Sequence, residues 1–264
     1  MRWFQWLDNR EQSLDNKGRV SFGAETMDAV DKPARVRAHF DSVASRYDFM
    51  NTLFCFGLHY RWKKRSVDLL ELKKGEVVLD VCGGTGDLIH LAVEELEGKG
   101  RFMVCDFTRS MLEVGRRKRA GSAAGRIDWI QGDAESIPLR DRSVDAAMIG
   151  FGIRNLTTPS QGIEEMHRVL KPGGRLLCLE FSKPVNPVFC RLYDVYSLTV
   201  MPLMARVIAG SGLPYTRLAE TIRLFPAAEE LGRLFQEEGF RRLACLNLTN
   251  GIAAAHLVQK ADSG

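Results

Sequence analysis

The sequence predicts an α/β protein whose core is a mostly parallel, seven-stranded sheet with helices on both faces. Short apolar runs alternate with longer amphipathic segments along most of the 264 residues, and such alternation is typical of a parallel sheet. The first run, at 77–81, is followed by glycines at 83, 84 and 86, which indicates a tight turn from a buried strand into a helix. We therefore expect this strand at the centre of the sheet, and we expect the last strand to be antiparallel.

The other elements follow from apolar periodicity and from turn residues. Strands are predicted at 77–81, 101–106, 127–131, 144–150, 175–181, 240–248 and 252–259. Helices are predicted from residue 34 onward and at 87–96, 110–119, 160–170 and 227–238. Ser110 is a candidate N-cap, and Lys-Pro-Gly-Gly at 171–174 ends a helix in a turn. The last two strands are expected to pair antiparallel at one edge of the sheet.

Length and composition indicate one globular domain with an extension. We expect residues 1–34 to be mostly loop, with Trp3, Phe4 and Trp6 docked on the core or touching lipid. The domain at 35–264 divides into a lid at 35–65, a cofactor-binding core at 66–182 and a substrate-side part at 183–264.

Charge and cysteine content exclude several classes of protein. A net charge of +4 is too small to indicate nucleic acid as a partner. The six cysteines lack the spacing of zinc or redox motifs. No apolar run is long enough for a signal peptide or a membrane span, so a cytoplasmic protein is expected.

The strand, the glycine turn and the following helix predict a pocket for a nucleotide cofactor, because a helix N-terminus offers unpaired N–H groups. A dinucleotide fingerprint would need a third glycine where Ile89 stands. The pattern D-x-C-x-G-x-G at 80–86 instead resembles motif I of class I S-adenosylmethionine (SAM) methyltransferases, with Cys82 replacing the first glycine. Asp106 ends the second strand, where a carboxylate suits ribose hydroxyls.

Six motifs stand in the order found in one family. They are R-Y-D-F-M-N at 46–51, G-L-H-Y-R-W-K at 57–63, C-G-G-T-G-D at 82–87, F-G-I-R-N at 151–155, R-V-L-K-P-G-G at 168–174 and E-F-S-K-P at 180–184. From about Phe22 to its C-terminus the chain resembles the UbiE/MenG-type C-methyltransferases of menaquinone and ubiquinone biosynthesis. The resemblance implies the class I methyltransferase (Rossmann-like) fold and methylation of a ring carbon of a polyprenylated quinol by SAM. Demethylmenaquinol is favoured, and a ubiquinone precursor is the alternative.

Carried over by position, the resemblance implies residues for each ligand and no metal. SAM would be held by Asp80, Gly84, Thr85, Gly86, Asp106, Asp133, Ala134 and Gly150. The substrate would be met by Tyr47, Asn51, Trp62 and Tyr215. Position 150 is often serine in the family, so a side-chain contact is lost here. Arg217 replaces a second tyrosine of the family pattern, which affects the preference for tail or head group.

The lid and the apolar stretch at 188–208 each have two interpretations. The lid, rich in aromatic residues with polar tips, closes over cofactor and substrate, or it is an amphipathic cap on an edge of the sheet. The stretch at 188–208 carries apolar side chains at helical spacing, interrupted by Pro202, which is typical of core. Because it is an insertion, we predict that it walls a tunnel for an isoprenoid tail and touches the membrane transiently.

Catalysis is assigned to Arg154, Asn155 and His59. A quinol carbon becomes nucleophilic when a ring hydroxyl loses its proton, and Arg154 would donate to that oxygen while Asn155 orients it. Arginine stays protonated near neutrality, so the proton would leave through water or a neutral His59. The alternative role of Arg154 is a structural salt bridge.

Two other functional classes remain as alternatives. An NAD-dependent oxidoreductase shares the strand, the turn and Asp106, but the missing third glycine opposes it. A non-enzymatic quinone-binding or assembly protein would show no turnover with SAM. The oligomeric state is open, a homodimer included.

Overall fold

The computed structural model describes residues 19–23, 25–118, 126–209 and 213–261. Its strands are β1 (Arg19–Phe22), β2 (Glu25–Asp28), β3 (Val77–Val81), β4 (Arg101–Asp106), β5 (Ile127–Gln131), β6 (Val144–Gly150), β7 (Leu170–Phe181), β8 (Phe240–Leu248) and β9 (Ala253–Lys260). Its helices are α1 (Lys32–Val43), α2 (Tyr47–Phe54), α3 (Leu58–Leu69), α4 (Asp87–Glu95), α5 (Arg109–Lys118), α6 (Pro159–Val169), α7 (Pro187–Val195), α8 (Met201–Ala209), α9 (Leu213–Leu224) and α10 (Ala228–Glu237). A π-helical stretch, Tyr196–Val200, joins α7 to α8.

The central sheet has seven strands in the order β5-β4-β3-β6-β7-β9-β8. Strands β3 to β7 are parallel, and β9 lies antiparallel between β7 and β8. The mostly parallel α/β class and the antiparallel last strand are thus confirmed. The middle position of the sheet, fourth of seven, belongs to β6, whereas β3, the strand predicted to be central, is its neighbour. Both strands are almost continuously apolar because helices cover both faces of the sheet.

Buried side chains form one layer on each face of the sheet. Leu79 and Val81 of β3 belong to a cluster with α6 and α10. Val78, on the other face of the same strand, belongs to a cluster with α3, α4 and α5. Alternate side chains of a strand point to opposite faces, so this one apolar run fills both layers.

The N-terminal extension contains regular structure that the sequence did not predict. β1 and β2 pair as an antiparallel hairpin, and Phe22 of β1 is buried. A salt bridge of 2.9 Å between Glu25 and Arg217 fastens the hairpin to α9. The expectation of mostly loop was therefore wrong for the described part of 1–34, while Trp3, Phe4 and Trp6 lie outside the described residues.

The lid segment divides into two parts. α1 and α2 lie over the carboxyl ends of the parallel strands, where Asp48 of α2 accepts a hydrogen bond of 2.8 Å from the Thr85 hydroxyl. The Ser110 hydroxyl of α5 donates a hydrogen bond to Asp41 of α1. Ser110 is not the predicted N-cap, because α5 begins one residue earlier. By contrast, α3 packs on the sheet through Trp62 and other buried side chains, so only α1 and α2 of the predicted lid segment cover this edge.

The apolar stretch at 188–208 has two faces rather than one. Phe189 and Tyr193 pack against the core, and Tyr196 donates a hydrogen bond of 2.8 Å to the carbonyl of Phe54. Leu192 and Leu203 instead point outward, with more than half of each side chain exposed. This apolar stretch therefore contributes partly to the core and partly to the surface. No helix in the described ranges is long and apolar enough to cross a membrane.

The turn after β3 uses left-handed backbone at three positions. φ is +52° at Cys82, +55° at Gly84 and +79° at Gly86. Glycine adopts this region without strain, whereas a β-carbon costs about 1–2 kcal/mol. Cys82, in the place of the first motif glycine, is thus strained by its backbone.

We predict that Cys82→Gly is more stable than Cys82→Ala by about 1 kcal/mol, because only glycine relieves the left-handed strain. Urea denaturation of both variants measures the difference. Cys178, fully buried in β7, is the matched control. There the order reverses, because glycine weakens an ordinary strand. If alanine were the more stable residue at position 82 as well, the account of strain would be wrong.

Candidate active site

A first cavity lies at the carboxyl ends of β3, β4 and β6, beneath α1 and α2. It encloses about 1000 Å³ free of protein atoms, including its solvent-open mouth, and ligand pockets commonly have this size. Its polar wall contains Asp80, Gly83, Gly84, Thr85, Asp106, Asp133 and Gly150. Its apolar wall contains Val36, Phe40, Phe107, Met111 and Leu156.

Asp106 is held at the cavity wall by two backbone N–H groups. Gly84 donates to one carboxylate oxygen at 2.8 Å and Thr108 donates to the other at 2.7 Å. Each oxygen keeps acceptor capacity for a ligand. Asp133 and Ala134 line the same cavity, so seven of the eight predicted SAM residues, all except Gly86, lie around one space.

Asp80 is a buried carboxyl with an unused acceptor. Its Oδ2 accepts the N–H of Ile89 at 3.2 Å, while its Oδ1 has no hydrogen-bond partner among the described residues. Burial, with some help from the charge of Asp106, raises the pKa of Asp80 to about 8. An acid in this state fits a cationic group, which would favour its ionised form.

Two of the glycines predicted to bind SAM lie where a side chain has little room. Gly86 is absent from the cavity lining; a β-carbon there would lie 2.7 Å from the Trp129 ring, so its role is the close packing of the turn. Gly150 does line the cavity, but a β-carbon would lie 2.7 Å from Leu88. A serine at 150 would therefore require Leu88 to move.

A chain of ion pairs joins the lid to the glycine turn. Lys63 of α3 contacts Asp87 at 2.6 Å, and Lys118 contacts both Asp87 and Asp48. Burial alone would raise the pKa of Asp87, but the two ammonium groups outweigh it and hold that pKa well below its usual range. Since Asp48 also accepts from Thr85, the lid is fixed to the cavity by charge-assisted bonds.

A second cavity adjoins the first and encloses about 730 Å³, again including open space. Five residues line both cavities: Phe40, Tyr47, Lys63, Phe151 and Asn155. The rest of its wall includes Phe22, His39, Asn51, Cys55, His59, Arg154, Phe181 and Arg217. The second space is therefore rich in aromatic side chains and also contains polar and cationic groups.

Arg154 faces this second cavity from within a buried ion pair. Its Nη1 donates to Glu180 at 2.5 Å and to the carbonyl of Phe151 at 2.6 Å. Both side chains are almost completely buried, at 6% and 1% exposure. Its Nε has no partner among the described residues. Arg154 thus forms the salt bridge considered as the alternative, and its buried Nε remains an unpaired donor among the described residues.

Two histidines of the second cavity are uncharged near neutral pH. Burial lowers the pKa of His59 to about 4, and burial with the charges of Arg217 and Arg154 lowers the pKa of His39 to about 4. Nε2 of His59 is 3.1 Å from the Thr52 hydroxyl, whereas its Nδ1 has no partner in the described part of the chain. The unprotonated nitrogen of such an imidazole can accept a hydrogen bond, and its low pKa makes it a weak base in the free protein.

The predicted substrate residues are only partly brought together. Tyr47 and Asn51 line the second cavity. Trp62 lines neither cavity; its indole donates to the Thr249 hydroxyl at 2.8 Å, behind Phe151 and Phe181. Tyr215 belongs to α9, but its side chain lies outside the described residues.

Sequence reasoning missed Lys63, Glu180, His39 and Phe22. Lys63 and Glu180 do stand inside two of the quoted motifs, and that was the available signal. His39 and Phe22 lie in segments that reach the cavity only through tertiary packing. Across the described ranges, no three His, Cys, Asp or Glu residues are grouped to hold a metal ion.

The sheet order, the acid-lined turn after β3 and the cavity at the carboxyl edge define a SAM-dependent methyltransferase of class I. A crystal structure of a SAM-dependent methyltransferase from Aquifex aeolicus matches with a TM-score of 0.56 and 19% identity, over 75% of this chain and 88% of that one. The crystal structure of the [4+2]-cyclase SpnF matches with a TM-score of 0.61 and 17% identity, over 86% and 96%. At these identities the likeness shows the fold alone.

Residues 28–260 match the ubiE/COQ5 methyltransferase family, and the chain belongs to this family. A ubiquinone/menaquinone biosynthesis C-methyltransferase UbiE from Hahella chejuensis is 41% identical over 94% of this chain and 100% of its own length. The protein of the same name from Roseobacter denitrificans is also 41% identical, over 92% and 97%. The predicted resemblance and the methyltransferase class are confirmed.

We predict that Asp80 couples SAM affinity to pH. Because the pKa of Asp80 is about 8 in the free protein and a cation favours the carboxylate, affinity should rise between pH 6 and 7.5, by up to about tenfold per unit. Calorimetric titration of wild type and Asp80→Asn measures this. The Asn variant should show a much flatter profile; equal slopes would remove Asp80 from the cation site.

We predict that Asp106→Ala weakens SAM binding by roughly ten- to a hundredfold, because a charge-assisted hydrogen bond of about 1.5–3 kcal/mol is lost. The fold should survive, as checked by circular dichroism. Asp128→Ala, at a residue of β5 whose side chain is 45% exposed and does not line the cavity, is the control and should bind SAM normally. Unchanged affinity in Asp106→Ala would contradict the assignment of the ribose site.

Proposed function

We propose that this protein transfers the methyl group of SAM to a ring carbon of a prenylated quinol, with demethylmenaquinol as the substrate. The observation that carries the proposal is the junction of the two cavities, across Tyr47, Lys63, Phe151 and Asn155. A polar space suited to a charged nucleoside thus opens directly onto an aromatic one. The names of the curated relatives support quinone methylation and include both quinones.

The first cavity fits SAM by its donor set. Asp106 would hold the ribose hydroxyls, and Asp133 with Ala134 would meet the adenine. The unpaired Oδ1 of Asp80 would face the cationic end. When bound, SAM supplies an electrophilic methyl group on a positively charged sulfur. The residues of the chain must then hold the acceptor ring in line with that methyl group and exclude water.

The second cavity suits a quinol ring. Phe151 and Phe181, whose ring centroids are 4.5 Å apart, offer aromatic faces to a flat ring. Arg154 would donate from its free Nε to a ring oxygen as negative charge gathers there. The bonds to Glu180 and to the Phe151 carbonyl hold the guanidinium in position in advance, so little reorganisation is needed when the charge develops.

The proton of the ring hydroxyl needs an acceptor. His59 is neutral and presents an unpaired Nδ1. A quinolate formed nearby would raise the pKa of the imidazole through its opposite charge, so proton transfer to His59 produces a stabilised ion pair. Asn155 lines both cavities and would orient the ring between donor and base.

The requirement for an electron-rich carbon makes the reduced quinol the substrate. The isoprenoid tail of such a quinol resides in a bilayer, so we propose that the protein contacts the inner membrane transiently while it works from the cytoplasmic side.

We predict that labelled methyl transfer from SAM to demethylmenaquinone occurs only with a reductant present, because the oxidised ring lacks a nucleophilic carbon. The assay measures labelled product with and without dithionite. A parallel assay with the benzoquinol precursor of ubiquinone tests the alternative substrate. Equal rates with the oxidised quinone would overturn the mechanism, and no transfer to any quinol would overturn the proposed function.

We predict that loss of Arg154 lowers kcat by roughly a hundred- to a thousandfold, with SAM affinity changed far less, because its contact strengthens in the transition state. Arg154→Met alone would leave the buried Glu180 carboxylate without its partner, which would lower the free energy of unfolding by about 3–5 kcal/mol. Arg154→Met is therefore also combined with Glu180→Met. Arg175→Lys, at a pair with Glu76 remote from both cavities, is the control. Undiminished turnover in a folded variant would place the catalytic role elsewhere.

A further inference from the structure

A row of exposed apolar side chains runs along the outer side of α7 and α8. Its members, with exposed fractions of 61–78%, are Val188, Leu192, Val195, Leu203 and Val207. Their spacing of three, four or eight residues keeps them near one side of the helical run. Scattered exposed apolar residues are ordinary, but a contiguous row marks an interaction surface.

Phe56 extends this row from the loop between α2 and α3. Its side chain is 70% exposed, and its ring centroid is 5.7 Å from that of Tyr196. The backbone of Phe56 is left-handed, with φ at +48°, which is strained for an aromatic residue. We name Phe56 together with the row on α7 and α8 the docking face.

The charges beside the docking face are almost all positive. Between residues 183 and 209 the cations are Lys183, Arg191 and Arg206, and the acid is Asp194. All three cationic residues are exposed. Asp194 is already neutralised by Arg223 at 2.6 Å. The rim of the docking face therefore presents positive charge to its occupant.

This charge pattern distinguishes two kinds of occupant. A second copy of the chain meeting the face across a two-fold axis would bring like charges together, and an isologous contact must be self-complementary. The headgroups of an anionic bilayer are instead complementary to the arginines, and its acyl chains accept the apolar side chains.

The inner side of α7 belongs to the hydrophobic cluster beside the second cavity. Phe189 and Tyr193 of α7 belong to the hydrophobic cluster that contains Cys55, Phe151 and Phe181, and these three residues line that cavity. Thus α7 carries part of the docking face on its outer side, and its inner side packs in the cluster that includes three wall residues of the aromatic space.

We propose that the docking face lies on the surface of an anionic phospholipid bilayer, with α7 and α8 parallel to the membrane plane, and that this contact delivers the tailed substrate to the second cavity. The delivery step rests on the proposed function; the membrane contact itself does not. At roughly 1.5 Å per residue, the helical run from Pro187 to Ala209 would lie along the interface for about 34 Å.

The first test is co-sedimentation with vesicles of phosphatidylglycerol and phosphatidylcholine. The combined variant Leu192→Gln, Val195→Gln and Leu203→Gln removes apolar contact without changing charge, and affinity should fall roughly tenfold or more. Arg191→Gln with Arg206→Gln should lower affinity for anionic vesicles by a similar factor. It should have little effect with phosphatidylcholine alone.

The matched control is Val30→Gln with Leu243→Gln, two exposed apolar residues outside the docking face. This variant should bind vesicles like wild type. Equal binding by wild type and the triple variant would overturn the proposal. So would a wild-type dimer in sedimentation velocity that the triple variant converts to monomer without any vesicle binding, since the face would then join two copies.

Activity assays distinguish a failure of the membrane-contact proposal from a failure of the proposed function. The triple variant should methylate a short-tailed, water-soluble quinol at the wild-type rate but a long-tailed quinol in vesicles at least roughly tenfold more slowly. Equal rates for both proteins on the long-tailed quinol would overturn the delivery step. If neither protein methylates any quinol while vesicle binding still follows the docking face, the proposed function fails and the membrane contact stands.

Discussion

The buried ion pair between Lys63 and Asp87 is the interaction on which the arrangement of the site depends. Lys63 lines both cavities, and Asp87 begins the helix that follows the glycine turn. Lys118 and Asp48 extend the pair to the lid. Charges withdrawn from water must be paired, since an isolated one would cost several kcal/mol. The lid is therefore fixed over the turn by the same residues that shape the boundary between the two cavities.

The sheet was predictable because its signal is local. The apolar run at 77–81 and the glycines after it specify strand, turn and helix with no help from the rest of the chain. The carboxyl ends of parallel strands meet at one edge, so Asp80, Asp106, Asp133 and Gly150 converge on one cavity by topology alone. The carry-over of these positions from the family pattern needed no knowledge of side-chain packing.

What could not be predicted depends on contacts between distant residues. The pairing of Arg154 with Glu180 arises because β6 and β7 are neighbours in the sheet, which brings together the residues after one strand and at the end of the next. The β1–β2 hairpin is too short to show a clear apolar pattern and depends on Arg217 and α9. Trp62 and the stretch at 188–208 carry the expected residue types, but sequence does not show which face of a helix is covered.

The proposed methyl transfer requires the methyl donor and the acceptor ring to occupy adjoining cavities. A crystal structure with S-adenosylhomocysteine and a short-tailed quinol analogue tests this most directly. We expect the nucleoside against Asp106 and Asp133, the ring against Phe151 and Arg154, and the tail leading toward α7. A ring bound elsewhere, or an analogue that competes with S-adenosylhomocysteine for the first cavity, would contradict the account.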